Sequence, residues 1–299
     1  MKKEEAGYGN YDGISQAIAY ELNLGRPNKD HAKVAICVAS RDNWKNQFGR
    51  SLFFAGMNAL HVPCGYDHIS FSEMTYQSSI IAASRQHMVK EALQNFPDVT
   101  HILFIDDDME IPAGTISLML LRDKDIVAAN CARKSVPSNS TARKDNKEVY
   151  TRKSSVGLEE VDMVGTAVMM IKIDVFKKLR LPWFATPYYD LNTSRTWSKH
   201  RENLPEDLVD ALENAYFMGG GTERNGFVGE DIFFCNKAKG AGYKIYIDHD
   251  LSKGVSHIGD FPYKHEQMEG WDDKENRKER RAKESRKRNG RLQESHASA

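Results

Sequence analysis

The chain has 299 residues, which is enough for one large α/β domain or two small ones. Its 42 basic and 42 acidic residues cancel, so no global field favours nucleic acid or a membrane surface as the partner. An apolar content of 40% supports a substantial core, and no apolar run approaches the length of a transmembrane helix.

The first half of the chain alternates apolar runs with amphipathic stretches. Residues 1–31 are polar and predict a partly ordered N-terminal arm. The β-branched run KVAICVAS (33–40) predicts a buried first strand. Downstream we expect a helix near 44–59, a strand within 61–76, an amphipathic helix at 78–96 and a buried strand at 100–106.

The second half continues this alternation. We expect a helix at 111–124, a strand at 125–132, a polar loop or weak hairpin at 133–157 and a strand followed by a helix within 161–179. An irregular aromatic segment at 182–198 and a short helix at 204–217 come next. The last expected elements are a helix at 229–242, a strand at 243–250 and a charged helical tail at 272–294. The sequence therefore predicts an α/β fold with a Rossmann-like, mostly parallel central sheet and helices on both faces. Ligands bind beyond the carboxyl ends of the strands in such sheets.

The strand at 100–106 runs directly into three carboxylates, Asp106, Asp107 and Asp108. Their mutual repulsion is costly unless a positive charge lies beside them. In an extended turn, alternation places Asp106 and Asp108 on one side and Asp107 on the other. Carboxylate oxygens suit Mg²⁺ or Mn²⁺. We therefore predict a divalent metal site in which Asp107 is dispensable for metal binding.

Other chemistries share a strand followed by acids. An EF-hand loop requires a spacing that Met109, Glu110 and Ile111 break. A haloacid-dehalogenase-type phosphatase carries its D-x-D near the chain start, usually followed by Thr or Val, whereas a hundred residues precede this one. A nuclease would scatter its acids over several strands. A solvated acidic turn is the plain structural alternative.

Two further groups of residues, one acidic pair and two histidines, accompany the three aspartates. Glu230 and Asp231 open a predicted helix after Gly229, where the helix dipole favours carboxylates. They are either reactive groups or a simple acidic cap. His249 and His257 follow the last predicted strand, and each is either a packed residue or a third metal ligand.

The order of these motifs resembles the family-2-like glycosyltransferases of GT-A fold, notably the small type common in bacteriophage and bacterial genomes. The resemblance covers roughly residues 33–260. The motifs that carry it are AASRQHMVKEAL, HILFIDDDME, VDMVGTAVMMIKIDVFKKL, PWF, GEDIFFCNKAKGAGYKIYIDHD and VSHIG. It implies a GT-A domain over 32–262, with a nucleotide-sugar half at 32–132 and an acceptor half at 133–262, between the N-terminal arm and a tail at 263–299.

The resemblance also implies roles on the donor side. Asp106 and Asp108 would hold Mn²⁺ or Mg²⁺ on the diphosphate, with His257 as the third ligand and His249 as its alternative. Gln86 stands where relatives usually have Asn. The contact to the nucleotide base that the resemblance implies for this position is therefore weaker. The residues expected at the nucleotide sugar are Ser40, Arg41, Asp42, Arg85, Asp106, Asp107 and Asp108.

On the acceptor side, the resemblance matches Glu230 and Asp231 to an acidic pair. Asp231 is the expected base and Glu230 orients it. Trp183, Tyr188 and Tyr189 suit stacking against an acceptor, with core packing as the alternative for Trp183. The expected reaction moves a sugar from a UDP-linked donor to a hydroxyl on a glycan, a protein or a modified DNA base. Both inversion and retention remain open.

The same residues are also compatible with two other functions. One is nucleotidyl or phosphoryl transfer on a similar sheet, and the other is a nucleotide-sugar-binding module without catalysis. From Asp272 onward the tail carries ten Lys/Arg and six Asp/Glu. This mixture favours a solvated helix over a handle for DNA.

The compartment follows from the N-terminus and the cysteines. The first residues lack the apolar stretch of a signal peptide. Four cysteines lie far apart without paired metal spacing: Cys37, Cys64, Cys131 and Cys235. We therefore expect reduced thiols in a protein of the bacterial or phage-infected cytoplasm.

Overall fold

The structure is a computed structural model that describes residues 11–40, 43–135, 138–190, 225–259, 262–268 and 271. The helices are α1 (Tyr11–Asn23), α2 (Asn46–His61), α3 (Ile81–Asn95), α4 (Thr115–Arg122), α5 (Ile173–Lys178), α6 (Glu230–Gly240) and α7 (His249–Ser252), with a 3-10 helix at His265–Gln267. The strands are β1 (Lys29–Ser40), β2 (Tyr66–Gln77), β3 (His101–Asp106), β4 (Met109–Glu110), β5 (Ile126–Ala128), β6 (Arg143–Lys144), β7 (Lys147–Glu148), β8 (Leu158–Val161), β9 (Val168–Lys172), β10 (Tyr188–Asp190), β11 (Asn225–Phe227), β12 (Ile245–Asp248), β13 (Ser256–Ile258) and β14 (Pro262–Tyr263).

Seven strands form the central sheet in the order β2-β1-β3-β9-β5-β12-β8. β1 pairs in parallel with β2 and β3, and β12 pairs in parallel with β5. β9 is antiparallel to both β3 and β5, and β8 is antiparallel to β12. Five strands thus run in one direction and two in the other, which confirms the predicted α/β class and the mostly parallel sheet.

Each face of the sheet is covered by its own set of helices. Val34, Ile36 and Val38 of β1 pack into one cluster with α1, α2, α4 and α7. Ala35 and Cys37 of the same strand pack into a second cluster with α3, α5 and α6. Because both faces are buried, the strand reads as a continuous apolar run instead of an alternating one.

The N-terminal region differs from the expected polar arm of residues 1–31. Residues 11–23 form helix α1, and β1 begins at Lys29. Ile14, Ala17 and Ile18 are buried against the core, at the three- and four-residue spacing of one helix face. Glu21 is also buried, because Arg122 at the end of α4 neutralises it across 2.6 Å. The polar composition of this segment concealed a packed helix.

The other expected elements are in part confirmed, in part incomplete and in part outside the described residues. The loop or hairpin expected at 133–157 contains the β6–β7 hairpin. β8 was not predicted, because its sequence LEEV lacks an apolar run and serves as an edge strand. The helix expected at 204–217 and the tail at 272–294 lie outside the described residues. The division of the domain at residue 132 stays a prediction.

Among the helices described here, none has the length and apolar character needed to cross a membrane.

Candidate active site

The three aspartates lie at the edge of the sheet where the parallel strands end. Ala39 of β1 is paired with Asp106, the last residue of β3, so the two strands finish side by side. An open cavity of about 400 Å³ lies at this edge. Its lining is formed by Ala39, Ser40, Asn43, Lys45, Ser78, Ile81, Asp106, Asp107 and Asp108.

Asp108 and His257 are brought together by a small second sheet. β4 pairs with β13, which places His257 opposite Met109. The Ile258 amide donates to the Asp108 carbonyl oxygen across 2.7 Å. The His257 Nε2 atom then lies 3.2 Å from the Asp108 Oδ2 atom. Two residues almost 150 positions apart thus meet at one carboxylate.

The other ring nitrogen of His257 has a partner that orients the imidazole. Nδ1 lies 3.1 Å from the carbonyl oxygen of Ala132. A ring that donates from Nδ1 to this carbonyl directs its other nitrogen, Nε2, toward Asp108. Metal-binding histidines are commonly oriented in this way by a backbone carbonyl. The arrangement therefore suits His257 as a metal ligand.

The charge of Asp108 is stabilised by two neighbours. Burial opposes ionisation, but hydrogen bonds from His257 and Lys134 outweigh it and lower the pKa of Asp108 to about 2. Lys134 binds the same Oδ2 atom that faces His257. Asp108 is therefore ionised at neutral pH, as a ligand for a cation must be.

Asp106 faces a different partner, the buried Arg85 of α3. The Arg85 side chain is only 2% exposed, and its Nη2 atom lies 2.8 Å from the Asp106 Oδ1 atom. Its Nη1 atom binds the carboxylate of Glu230. Burial disfavours the guanidinium charge, yet Asp106, Glu230 and Asp231 together raise the pKa of Arg85. Arg85 thus connects the end of β3 to the start of α6, a role that the sequence did not indicate.

Asp231 lies in the first turn of α6, next to this bridge. Its Oδ1 atom accepts a hydrogen bond from the Ile232 amide across 2.7 Å. Burial, followed by the charge of Glu230, raises its pKa above the usual value for aspartate. A Cβ atom at Gly229 would lie 2.6 Å from Asp231 Oδ1, so any other residue there would force this carboxylate to shift.

Asp107, the middle acid, is anchored to the end of β1. The Ser40 hydroxyl donates to Asp107 Oδ2 across 2.5 Å. Arg41 and Asp42, which were expected beside Ser40 at the nucleotide, lie outside the described residues. The nucleotide-binding role of Ser40 and its two neighbours stays a prediction.

The structure distinguishes the two candidate histidines. Both ring nitrogens of His249 lie 2.9 Å from a partner, Nδ1 from Thr151 Oγ1 and Nε2 from Glu159 Oε2. His257, in contrast, contacts the aspartate cluster. Within the described part of the chain, no group of three His, Cys, Asp or Glu side chains is gathered as for a metal ion. Two of the three expected ligands, Asp108 and His257, are adjacent, whereas Asp106 is turned toward Arg85.

The structure corrects one of the three residues expected at the acceptor and leaves the other two as predictions. Trp183 is buried, and its Nε1 donates to the carbonyl oxygens of Phe176 and Leu179 at 3.1 and 3.0 Å. This corrects its expected acceptor role, because the indole belongs to the core. The acceptor role of Tyr188 and Tyr189, which lie in β10, stays a prediction.

Two polar contacts of the site region were not predicted from the sequence. The Gln86 side-chain oxygen accepts from the amide of Trp183 across 2.9 Å, so it holds the segment after the cis peptide Leu181–Pro182. Lys45 lines the cavity and donates to the Ile258 carbonyl across 2.9 Å. Neither contact has a sequence signal, because each joins residues about a hundred or more positions apart.

The chain matches no protein-family model and no curated protein. Among solved structures it is similar to A197 from STIV, with 15% sequence identity, 77% of this chain and 86% of that chain covered, and a TM-score of 0.46. It is also similar to S. aureus TarS 1-349, with 11% identity, 49% of this chain and 48% of that chain covered, and a TM-score of 0.30. These likenesses are distant, so any function has to be inferred from the site itself.

Proposed function

We propose that the protein is a metal-dependent glycosyltransferase that moves a sugar from a nucleotide-diphosphate sugar, UDP-linked in our expectation, to an acceptor hydroxyl. The observation that carries the proposal is the meeting of two acidic motifs at one edge of the sheet. Arg85 bridges Asp106 of the first motif and Glu230 of the second. Donor and acceptor groups would therefore be held a short distance apart, as a direct transfer requires.

The donor side of the proposal rests on Asp108, His257 and the adjoining cavity. The cavity has a volume of about 400 Å³, which lies in the usual range of small-molecule sites. Asp108 and His257 would hold a divalent cation, and Asp106 would join them after turning from Arg85. A bound Mn²⁺ or Mg²⁺ supplies positive charge to the departing nucleoside diphosphate. Lys45, which also lines the cavity, adds a cation near the same position.

The acceptor side rests on Asp231. A carboxylate with a raised pKa is a better proton acceptor than an ordinary aspartate. In an inverting reaction the acceptor oxygen bonds to the anomeric carbon as the bond from that carbon to the diphosphate oxygen breaks, and the hydroxyl proton passes to Asp231. Glu230, held by Arg85, would orient its neighbour in this scheme, and its charge contributes to the raised pKa of Asp231.

The test is to incubate the protein with Mn²⁺ and a panel of nucleotide sugars, and to measure release of nucleoside diphosphate by chromatography. Slow release from one donor supports transfer. Release of pyrophosphate from a nucleoside triphosphate and a sugar phosphate would instead identify a nucleotidyltransferase. Nucleotide binding without turnover of any donor would identify a binding module.

Two substitutions divide the roles within this assay. Asp108→Ala should abolish Mn²⁺-dependent donor binding, because it removes the ionised ligand. Asp231→Asn should leave donor binding within a factor of about two and lower transfer at least 100-fold, the usual size of a general-base contribution. A collapse of donor binding in Asp231→Asn would contradict the acceptor-side assignment.

A further inference from the structure

Lys134 occupies the carboxylate oxygen that a divalent cation would need. Its ammonium group binds Asp108 Oδ2, the atom that also lies 3.2 Å from His257 Nε2. Asp108 follows β3, Lys134 follows β5 and His257 belongs to β13, so three parts of the fold converge on one atom. From this placement we infer that Lys134 competes with the metal at Asp108 and is displaced when metal and a diphosphate bind together.

The aliphatic stem of Lys134 passes close to Gly259 on its way to Asp108. A Cβ atom built on Gly259 would lie 3.7 Å from the Cδ atom of Lys134. The stem therefore passes over a residue without a side chain.

The ion pair is exposed enough to exchange its partner. The side chains of Lys134 and Asp108 are 35% and 26% exposed. An ammonium at that exposure can leave the carboxylate and regain water, whereas a fully buried pair could not separate cheaply. Lys134 is thus an exchangeable competitor and not a fixed structural charge.

The exchange couples two ligands, and this consequence rests on the proposed function. Metal alone has to displace the ammonium from Asp108 without offering it a new anionic partner, so it binds weakly. A nucleoside diphosphate gives the displaced ammonium new oxygens to contact. Each ligand therefore increases the affinity for the other, by the same factor in both directions.

The test measures Mn²⁺ binding by electron paramagnetic resonance, without and with UDP, on the wild type, Lys134→Met and Lys178→Met. Lys178 is an exposed lysine at the end of α5 and serves as the control. It follows β9, whose last residue pairs with the first residue of β3, so it lies at the opposite edge of the sheet. Methionine keeps most of the aliphatic stem and removes only the charge.

We expect Lys134→Met to bind Mn²⁺ alone on the order of tenfold more tightly than the wild type, since an ion pair and a cation–cation repulsion are both removed. We expect UDP to raise the Mn²⁺ affinity less in Lys134→Met than in the wild type, and Lys178→Met to match the wild type. Unchanged or weaker Mn²⁺ binding by a folded Lys134→Met would overturn the inference while leaving the proposed function intact. Absence of Mn²⁺ binding in every protein, with or without UDP, would overturn both.

Discussion

Replacement of Arg85 by methionine should destabilise the fold strongly. The guanidinium is 2% exposed, lies between Asp106 and Glu230, and is 6.0 Å from the ring of Phe104. Methionine fills part of the space but leaves two carboxylates without their cation. Removal of one partner from a buried ionic cluster costs about 3–5 kcal/mol. We therefore expect the free energy of unfolding, measured with urea at pH 7.5, to fall by about that amount.

The pH dependence of this loss gives a second criterion. Burial and Glu230 raise the pKa of Asp231, whereas Arg85 lowers it. Without Arg85 the pKa of Asp231 in the folded protein rises further above its unfolded value. A carboxyl group with a raised folded pKa destabilises the fold at higher pH, and this penalty disappears as the pH falls. The difference between variant and wild type should thus be smaller at pH 5 than at pH 7.5.

The matched control for Arg85→Met is Arg180→Met, which removes an exposed arginine. Its effect should stay within about 0.5 kcal/mol. Arg85→Lys, which keeps the charge but loses the fork that reaches two carboxylates, should fall between the wild type and Arg85→Met. A loss below about 1 kcal/mol in Arg85→Met, or one that grows toward pH 5, would refute the bridging role.

Three other variants or conditions test separate parts of the structure. Gly229→Ala places a Cβ atom 2.6 Å from Asp231 Oδ1 and displaces this carboxylate. The rate of sugar transfer should therefore fall at least tenfold with little change in donor affinity. An unchanged rate would show that the position of the Asp231 carboxylate is unimportant. Burial lowers the pKa of His101 and of His265 to about 4, so the folded state binds fewer protons than the unfolded state between about pH 6.5 and 4. Stability to urea should therefore decline from pH 7 to pH 5, by roughly 2 kcal/mol for each histidine, and the His101→Asn variant should lose part of this dependence. Glu21→Ala removes a buried carboxylate from the arginine that ends α4, so urea unfolding should show a loss of about 2–3 kcal/mol. An unchanged value would mean that this ion pair contributes little to the stability of the fold.

The sheet and its acidic edge could be predicted because their signals are local. The run from His101 to Asp106 is apolar and ends in carboxylates, and β3 occupies those residues. Burial on both faces makes such strands continuous in hydrophobicity. The position of the site at the carboxyl ends of the strands then followed from a general property of parallel sheets.

The contacts that define the site could not be predicted because they join distant residues. Arg85 was expected at the nucleotide, but the structure buries it between two acids, one of them 145 positions away. Trp183 was expected at the acceptor, yet its indole nitrogen finds backbone acceptors in the core. His257 was preferred to His249 only on the resemblance, and the pairing of β4 with β13 then places His257 beside Asp108. Spacing along the chain contains none of this information.

The most direct test of the proposed metal and nucleotide site is a crystal structure of the protein with Mn²⁺ and UDP, recorded with anomalous scattering at the manganese edge. We expect one anomalous peak within coordination distance of Asp108 and His257, and the diphosphate of UDP beside it, in the cavity that Ser40 and Asp107 line. UDP bound in another part of the molecule, or manganese bound without contact to Asp108, would contradict the assignment of this edge of the sheet as a nucleotide-sugar site.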